Sequence, residues 1–171
     1  MPHLFCAVTI AFAAIFATSV PLSAEELDMP TQTVVLTVSG DIAATNVDAA
    51  AQFDVDMLMS LDPVTIKTTT IWTEGEQTFE GVALKTLLER LDVTTGTILA
   101  TAINDYAVEI PAADAVDGGP IVAYLLNGDT MSVRDKGPLW IVYPYDASAD
   151  YRSEVIYSRS IWQLDRLEIV Q

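Results

Sequence analysis

The fold turns on how KTTTIWTEGEQTFEGVALKTLLERL, residues Lys67–Leu91, is read. Thr68, Thr69 and Thr70 lead through Ile71 to Trp72, and Glu74-Gly75-Glu76 forms a turn. The run from Val64 to Trp72 is rich in Val, Thr and Ile, whose branched side chains suit a pleated surface, so it predicts a strand. Beyond the turn, Val82, Leu84, Leu87, Leu88 and Leu91 recur at helical spacing. They predict a helix over Phe79–Leu91, with Gly81 just outside its start. The threonine row reads either as a strand end with alternating faces or as the floor of a hydroxyl-lined pocket.

Toward the N-terminus, Thr33–Ser39 alternates and predicts a strand closed by Gly40-Asp41. Asp41–Gln52 has small residues and no clear period, and reads as loop or weak helix. Asp54–Leu61 predicts a short helix capped by Asp54 and stopped by Asp62-Pro63. Toward the C-terminus, Thr97–Ile103 and Tyr106–Ile110 predict a hairpin about Asn104-Asp105. Pro111–Ala115 is a helical turn, broken by Asp117-Gly118-Gly119-Pro120. Ile121–Leu126 is an apolar strand that turns at Asn127-Gly128 and returns over Thr130–Val133. Leu139–Tyr143 is a buried-type strand, Pro144–Asp150 a loop, and Tyr151–Ser160 is ambiguous between loop and helix. Trp162–Val170 closes the chain as a strand with Leu164, Leu167 and Ile169 on one face. There is no internal repeat. The expectation is one compact α+β domain of short mixed strands and few helices.

The segment 1–24 is apolar, has no Asp, Glu, Lys or Arg, and ends in Ser23-Ala24 before Glu25-Glu26. That is the pattern of a secretory signal peptide cleaved after Ala24, with a retained anchor as the alternative. The expected organisation is therefore 1–24 signal peptide, 25–63 an N-terminal strand and short helix, and 64–170 the domain core. The mature protein is expected in the periplasm or secreted, off the membrane once the signal is removed. The chain carries 24 Asp and Glu against 8 Lys and Arg, a net charge of −16. Such a charge repels nucleic acid, whose binding rests on cationic contacts to phosphate. The single histidine, His3, and single cysteine, Cys6, both precede Ala24. The mature chain thus has no thiolate or imidazole. Disulfides, zinc sites of the usual nitrogen and sulfur type, and Ser-His-Asp or Cys-His catalysis are excluded.

Five phrases in order carry a resemblance. FEGVALKTLL (Phe79–Leu88), AINDY (Ala102–Tyr106), IVAYLLNG (Ile121–Gly128), GPLWIVY (Gly137–Tyr143) and WQLDRLEI (Trp162–Ile169) together are similar to the molybdopterin-binding domain of the sulfite-oxidase-like oxidoreductases. They look most like short exported proteins that carry a cut-down version of it. The resemblance implies a Cys, four residues before a Trp and ahead of the helix, as the molybdenum ligand. Here that place is held by Thr68, with Trp72 following. A neutral hydroxyl does not replace a soft thiolate. The resemblance also implies basic groups around a pterin phosphate. Lys67, Arg134, Lys136, Arg152 and Arg159 are the cations available, and the last four are the candidate anion-binding residues.

The candidate cleft-lining residues are Thr68, Thr70, Trp72, Asn104, Asp105 and Tyr106. Trp72 reads as a pocket wall or as a half-buried strand-end Trp. Asn104-Asp105-Tyr106 reads as a plain turn, or as the cleft border that the resemblance implies. No catalytic residue and no metal ligand is assigned. No cofactor is expected from the residues themselves, and molybdopterin enters through the resemblance alone. The functional expectation is a non-redox ligand-binding or accessory module. Its partner is an envelope protein or a small anionic ligand. The alternative is an oxidoreductase that binds its cofactor without a protein thiolate.

Overall fold

The computed structural model describes residues 27–171; the expected signal peptide, with His3 and Cys6, lies outside the described residues. Ten strands and three short α-helices follow in the order β1 (Leu36–Gly40), β2 (Ala51–Phe53), α1 (Val55–Met59), β3 (Pro63–Thr69), β4 (Glu76–Ala83), α2 (Leu84–Arg90), β5 (Thr97–Ala102), β6 (Ala107–Pro111), β7 (Ile121–Leu126), β8 (Asp129–Thr130), β9 (Leu139–Val142), α3 (Glu154–Arg159) and β10 (Trp162–Val170). They build one α+β domain around a mixed sheet of order β2-β1-β10-β9-β7-β4-β3. Among the described residues, only β1 and β10 pair in parallel. β5 joins along β10 and carries β6, while β8 folds back on β7.

The decisive stretch is split differently from the helical reading of Phe79–Leu91. Its first part is β4, paired with β3 from Val82 opposite Pro63 to Glu76 opposite Thr69. The helix begins only at Leu84. The reason lies at Gly81. A Cβ there would meet the carbonyl oxygen of Val122 at 2.2 Å, so the residue is pressed flat against β7. Phe79 and Val82 are buried from the strand, and Leu84, Leu87 and Leu88 from the helix. Burying each of those leucines contributes about 2 kcal/mol. α2 closes at Asp92, whose φ is 59°, with the Val93 N–H returning to the Leu88 carbonyl at 2.9 Å.

Other boundaries also move. The strand expected to reach Trp72 ends at Thr69. A three-residue strand, Ala51–Phe53, lies at the end of the segment read as loop or weak helix, held antiparallel to β1. The return from Asn127-Gly128 is only Asp129–Thr130, and Val133–Asp135 is a 3-10 turn. Asn127 and Gly128 both have positive φ, 54° and 88°, which is the two-residue turn that this hairpin needs. Asp54 caps α1 as expected: its Oδ1 accepts the Met57 N–H at 2.9 Å. The ambiguous Tyr151–Ser160 holds α3, capped by Ser153. Trp140, Tyr143, Leu164 and Leu167 are fully buried, so the core lies under β9 and β10.

Candidate functional site

Three segments meet where β10 begins: the bend after β3, the β5–β6 turn, and the end of α3. The bend exists because Thr70 offers its hydroxyl to the backbone. The Trp72 N–H donates to Thr70 Oγ1 at 3.0 Å, and Thr70 and Thr73 hydroxyls lie 2.8 Å apart. Hydroxyls of this kind compete with a strand's own ladder. The indole of Trp72 is thereby turned onto four other rings. Its centroid lies 5.8 Å from Trp140, 6.1 Å from Tyr145, 5.7 Å from Tyr157 and 5.5 Å from Trp162, all edge-to-face.

Gln163 fixes the second segment. It sits at a bulge between Trp162 and Leu164 with φ 54°, a left-handed conformation. Its N–H donates to the Lys136 carbonyl at 3.0 Å and its carbonyl accepts the Ile103 N–H at 2.9 Å. Its side-chain Nε2 donates to the Val133 carbonyl at 2.6 Å. One residue therefore ties the turn at Val133–Asp135 and the β5–β6 turn to the start of β10.

The third segment is anchored from below. Tyr145 donates its hydroxyl to Ser160 Oγ at 2.7 Å, and that oxygen donates to the Ile156 carbonyl at 2.8 Å. Trp140 Nε1 donates to the Ser160 carbonyl at 3.2 Å. Burial pushes the Tyr145 phenol up to about 12, so it remains a neutral donor through the ordinary pH range. Tyr143 donates to Asp114 Oδ2 at 2.8 Å, which also takes Arg159 at 2.9 Å. Burial, with this bond adding, holds the Tyr143 phenol well above its usual value.

Between these segments is a cleft of about 300 Å³. Its aromatic walls are Trp72, Tyr106, Tyr157 and Trp162, and Asn104 and Gln163 bring amides. Ser158 and Ser160 add hydroxyls, and Ala102 and Ile161 complete the lining. None of the lining residues is Asp, Glu, Lys or Arg.

Of the residues singled out in the sequence, Trp72, Asn104 and Tyr106 come together here. Thr68 does not line the cleft. It is fully buried, and its Oγ1 accepts the Asp146 N–H at 3.1 Å. Asp146 in turn takes the Thr69 N–H at 2.6 Å and the Thr69 hydroxyl at 2.9 Å. These bonds hold its carboxyl below the usual carboxylate range. Thr70 is half-buried in the bend, and Asp105 turns away to pair with Arg166 at 2.8 Å. The cations are not gathered about one point in the cleft. Arg159 is paired with Asp114, and Lys136 Nζ lies over Trp140 and Trp162 at 5.7 and 5.5 Å. Arg134, Arg152 and Lys67 are exposed. Sequence reasoning missed Tyr157, Ser158, Ser160, Trp162 and Gln163 as lining. One signal was present: Leu164 and Leu167 are three residues apart, which breaks the two-residue alternation near the start of the strand, where the register shifts.

A family model, the oxidoreductase molybdopterin binding domain, matches residues 16–150, and the chain belongs to that family. Among solved structures, the sulfane dehydrogenase SoxCD from Paracoccus pantotrophus is similar, with a TM-score of 0.59 at 18% identity over 85% of this chain. That likeness shows the fold, and the chain spans 40% of the length of that SoxCD chain. No curated protein matches the chain in sequence.

The resemblance gives the metal a protein thiolate, a soft donor beside the cofactor's own sulfurs, and gives the phosphate a set of cations. The position that the resemblance gives to the thiolate is Thr68, enclosed in the fold with its hydroxyl bonded to Asp146. The cleft lining has neither thiolate nor cation. Among the described residues no group of three or more His, Cys, Asp or Glu is placed to hold a metal. The lining of this cleft does not fit the metal and phosphate of such a cofactor, and its own chemistry is aromatic and amide.

Proposed function

We propose that this protein is an exported, non-redox member of its family that works in the periplasm or outside the cell as a ligand-binding or accessory module. Its site is the cleft beside Trp72. The observation that carries the reading is the Thr68 clasp: the side chain standing in the thiolate's place is buried and bonded to Asp146 rather than turned to a ligand. The apolar, uncharged segment 1–24 supports export. The cleft is ring-walled and has no Asp, Glu, Lys or Arg in its lining, which suits a binding role.

Native mass spectrometry and elemental analysis of protein exported by its own host test this. The expected result is molybdenum far below stoichiometric, with any bound mass being a metal-free small molecule or a partner chain. Stoichiometric molybdenum together with turnover overturns the reading. That outcome instead establishes the second reading, an oxidoreductase that holds its cofactor without a protein thiolate. Family membership favours this alternative.

A further inference from the structure

We infer that the cleft beside Trp72 is an aromatic box for a small quaternary ammonium ligand, one carrying a trimethylammonium head. The inference rests on the reading of the cleft as a ligand site and names the class of ligand. Its geometry comes first. Tyr157 stands at 83° to Trp72 and Trp162 at 72°, with centroids 5.7 and 5.5 Å away. Two upright walls on a ring floor suit a rounded group that touches rings from several sides. The negative face of each ring attracts a positive charge placed over it.

The chemistry of the lining narrows the choice. With no cation in the walls and Lys136 only beside Trp162, an anion finds little counter-charge. With no carboxylate, a primary ammonium finds no strong acceptor for its three N–H groups. A quaternary ammonium has no N–H to satisfy. Asn104 Oδ1, Gln163 Nε2 and the Ser158 hydroxyl proton are engaged with Tyr106, Val133 and Val155. That leaves Asn104 Nδ2 and Gln163 Oε1 for a short polar tail, and about 300 Å³ accommodates head and tail together. The fold already places a cation on these rings: Lys136 Nζ lies 5.5 Å from the Trp162 centroid without lining the cleft. The net charge of −16 draws cations toward the protein and repels anions.

The test titrates the full chain with choline chloride, reading tryptophan fluorescence and heat, at constant ionic strength set with sodium chloride. The neutral isostere 3,3-dimethylbutan-1-ol and sodium phosphate are the comparison ligands. Choline is expected to saturate and to bind at least about tenfold tighter than the isostere. Tyr106 is 58% exposed, so Tyr106→Ala leaves the fold intact. It is expected to weaken choline about two- to fivefold. Lys136→Gln removes a neighbouring positive charge and is expected to tighten choline. An isostere that binds as well as choline, a Lys136→Gln variant that binds choline more weakly, or choline that never saturates overturns the inference. If phosphate or the isostere saturates where choline does not, the ligand class is wrong but the cleft remains a ligand site. If stoichiometric molybdenum appears in the host-exported protein, the underlying reading fails independently of choline.

Discussion

Two tyrosines in the core stand in opposite situations. Tyr124 on β7 is 2% exposed, and its hydroxyl has no hydrogen-bond partner among the described residues. Burial pushes its phenol upward, the mark of a polar group taken from water without compensation. Tyr124→Phe is expected to stabilise the fold by about 1 kcal/mol, raising Tm by several degrees in a thermal melt. Tyr145 donates to Ser160, which continues the chain of bonds to Ile156. Tyr145→Phe is expected to lower stability by about 1 kcal/mol. The same chemical change thus carries opposite signs, and equal effects in both variants contradict the hydrogen-bond assignment. Asp54 adds a pH dependence. The Met57 N–H, with those of Gln32 and Thr31, lowers its carboxyl, against the opposing effect of burial. A lowered folded value means that its contribution is complete above the unfolded carboxylate value of about 3.9 and is lost as pH falls through the folded value. Asp54→Asn is expected to flatten the acid limb of a stability-versus-pH curve below that point while leaving the slope near neutrality unchanged. An acid limb identical in the variant and the parent protein counts against this role.

Elements show where local sequence stops being sufficient. The leucines of α2 announced a helix correctly, because Leu84, Leu87 and Leu88 obey its period. Phe79 and Val82 fit the same period by coincidence, and their strand state is imposed by β3 and β7, which flank them in the sheet. Gly81→Ala is therefore expected to cost roughly 2 kcal/mol or more, although alanine favours helices, because the new methyl is driven into β7. With Gly81 just outside a helix start, as the sequence alone suggests, the change is nearly neutral, so the size of the fall in urea midpoint separates the two. The cleft was half legible for the same reason. Trp72, Asn104 and Tyr106 stand at turns that composition marks. Tyr157, Trp162 and Gln163 join them only through the bulge that opens β10 and the docking of α3, which are contacts between distant segments. The Thr68 clasp is equally nonlocal, since Asp146 lies 77 residues from the Thr69 that it grips. Asp146→Ala is expected to speed hydrogen exchange at the Thr69 amide with little change deep in β4. Unaltered exchange at Thr69 means that the clasp does not hold in solution.

At the scale of the whole molecule, the surplus of acid is the dominant unpaired feature. Several of the eight basic side chains are already matched: Lys85 with Asp117, Arg159 with Asp114, and Arg166 with Asp105 and Asp165. The excess of 24 acidic over 8 basic side chains leaves a net repulsion that works against the compact state. Added salt acts on both terms. It weakens the surface ion pairs, which contribute little to begin with, and it screens the repulsion, which sums over many charges. The second effect is the larger when acids outnumber bases threefold. Tm at pH 7 is expected to rise by several degrees as sodium chloride goes from about 10 to about 300 mM, where the screening length falls well below the size of the domain. Choline chloride at equal ionic strength screens to the same extent. Any further rise that it produces is binding to the folded state, which stabilises by mass action. The melts therefore give two independent readings. A Tm that is flat or falls in sodium chloride shows that the ion pairs outweigh the repulsion. A Tm identical in the two chlorides shows that the aromatic cleft does not distinguish the quaternary cation from sodium.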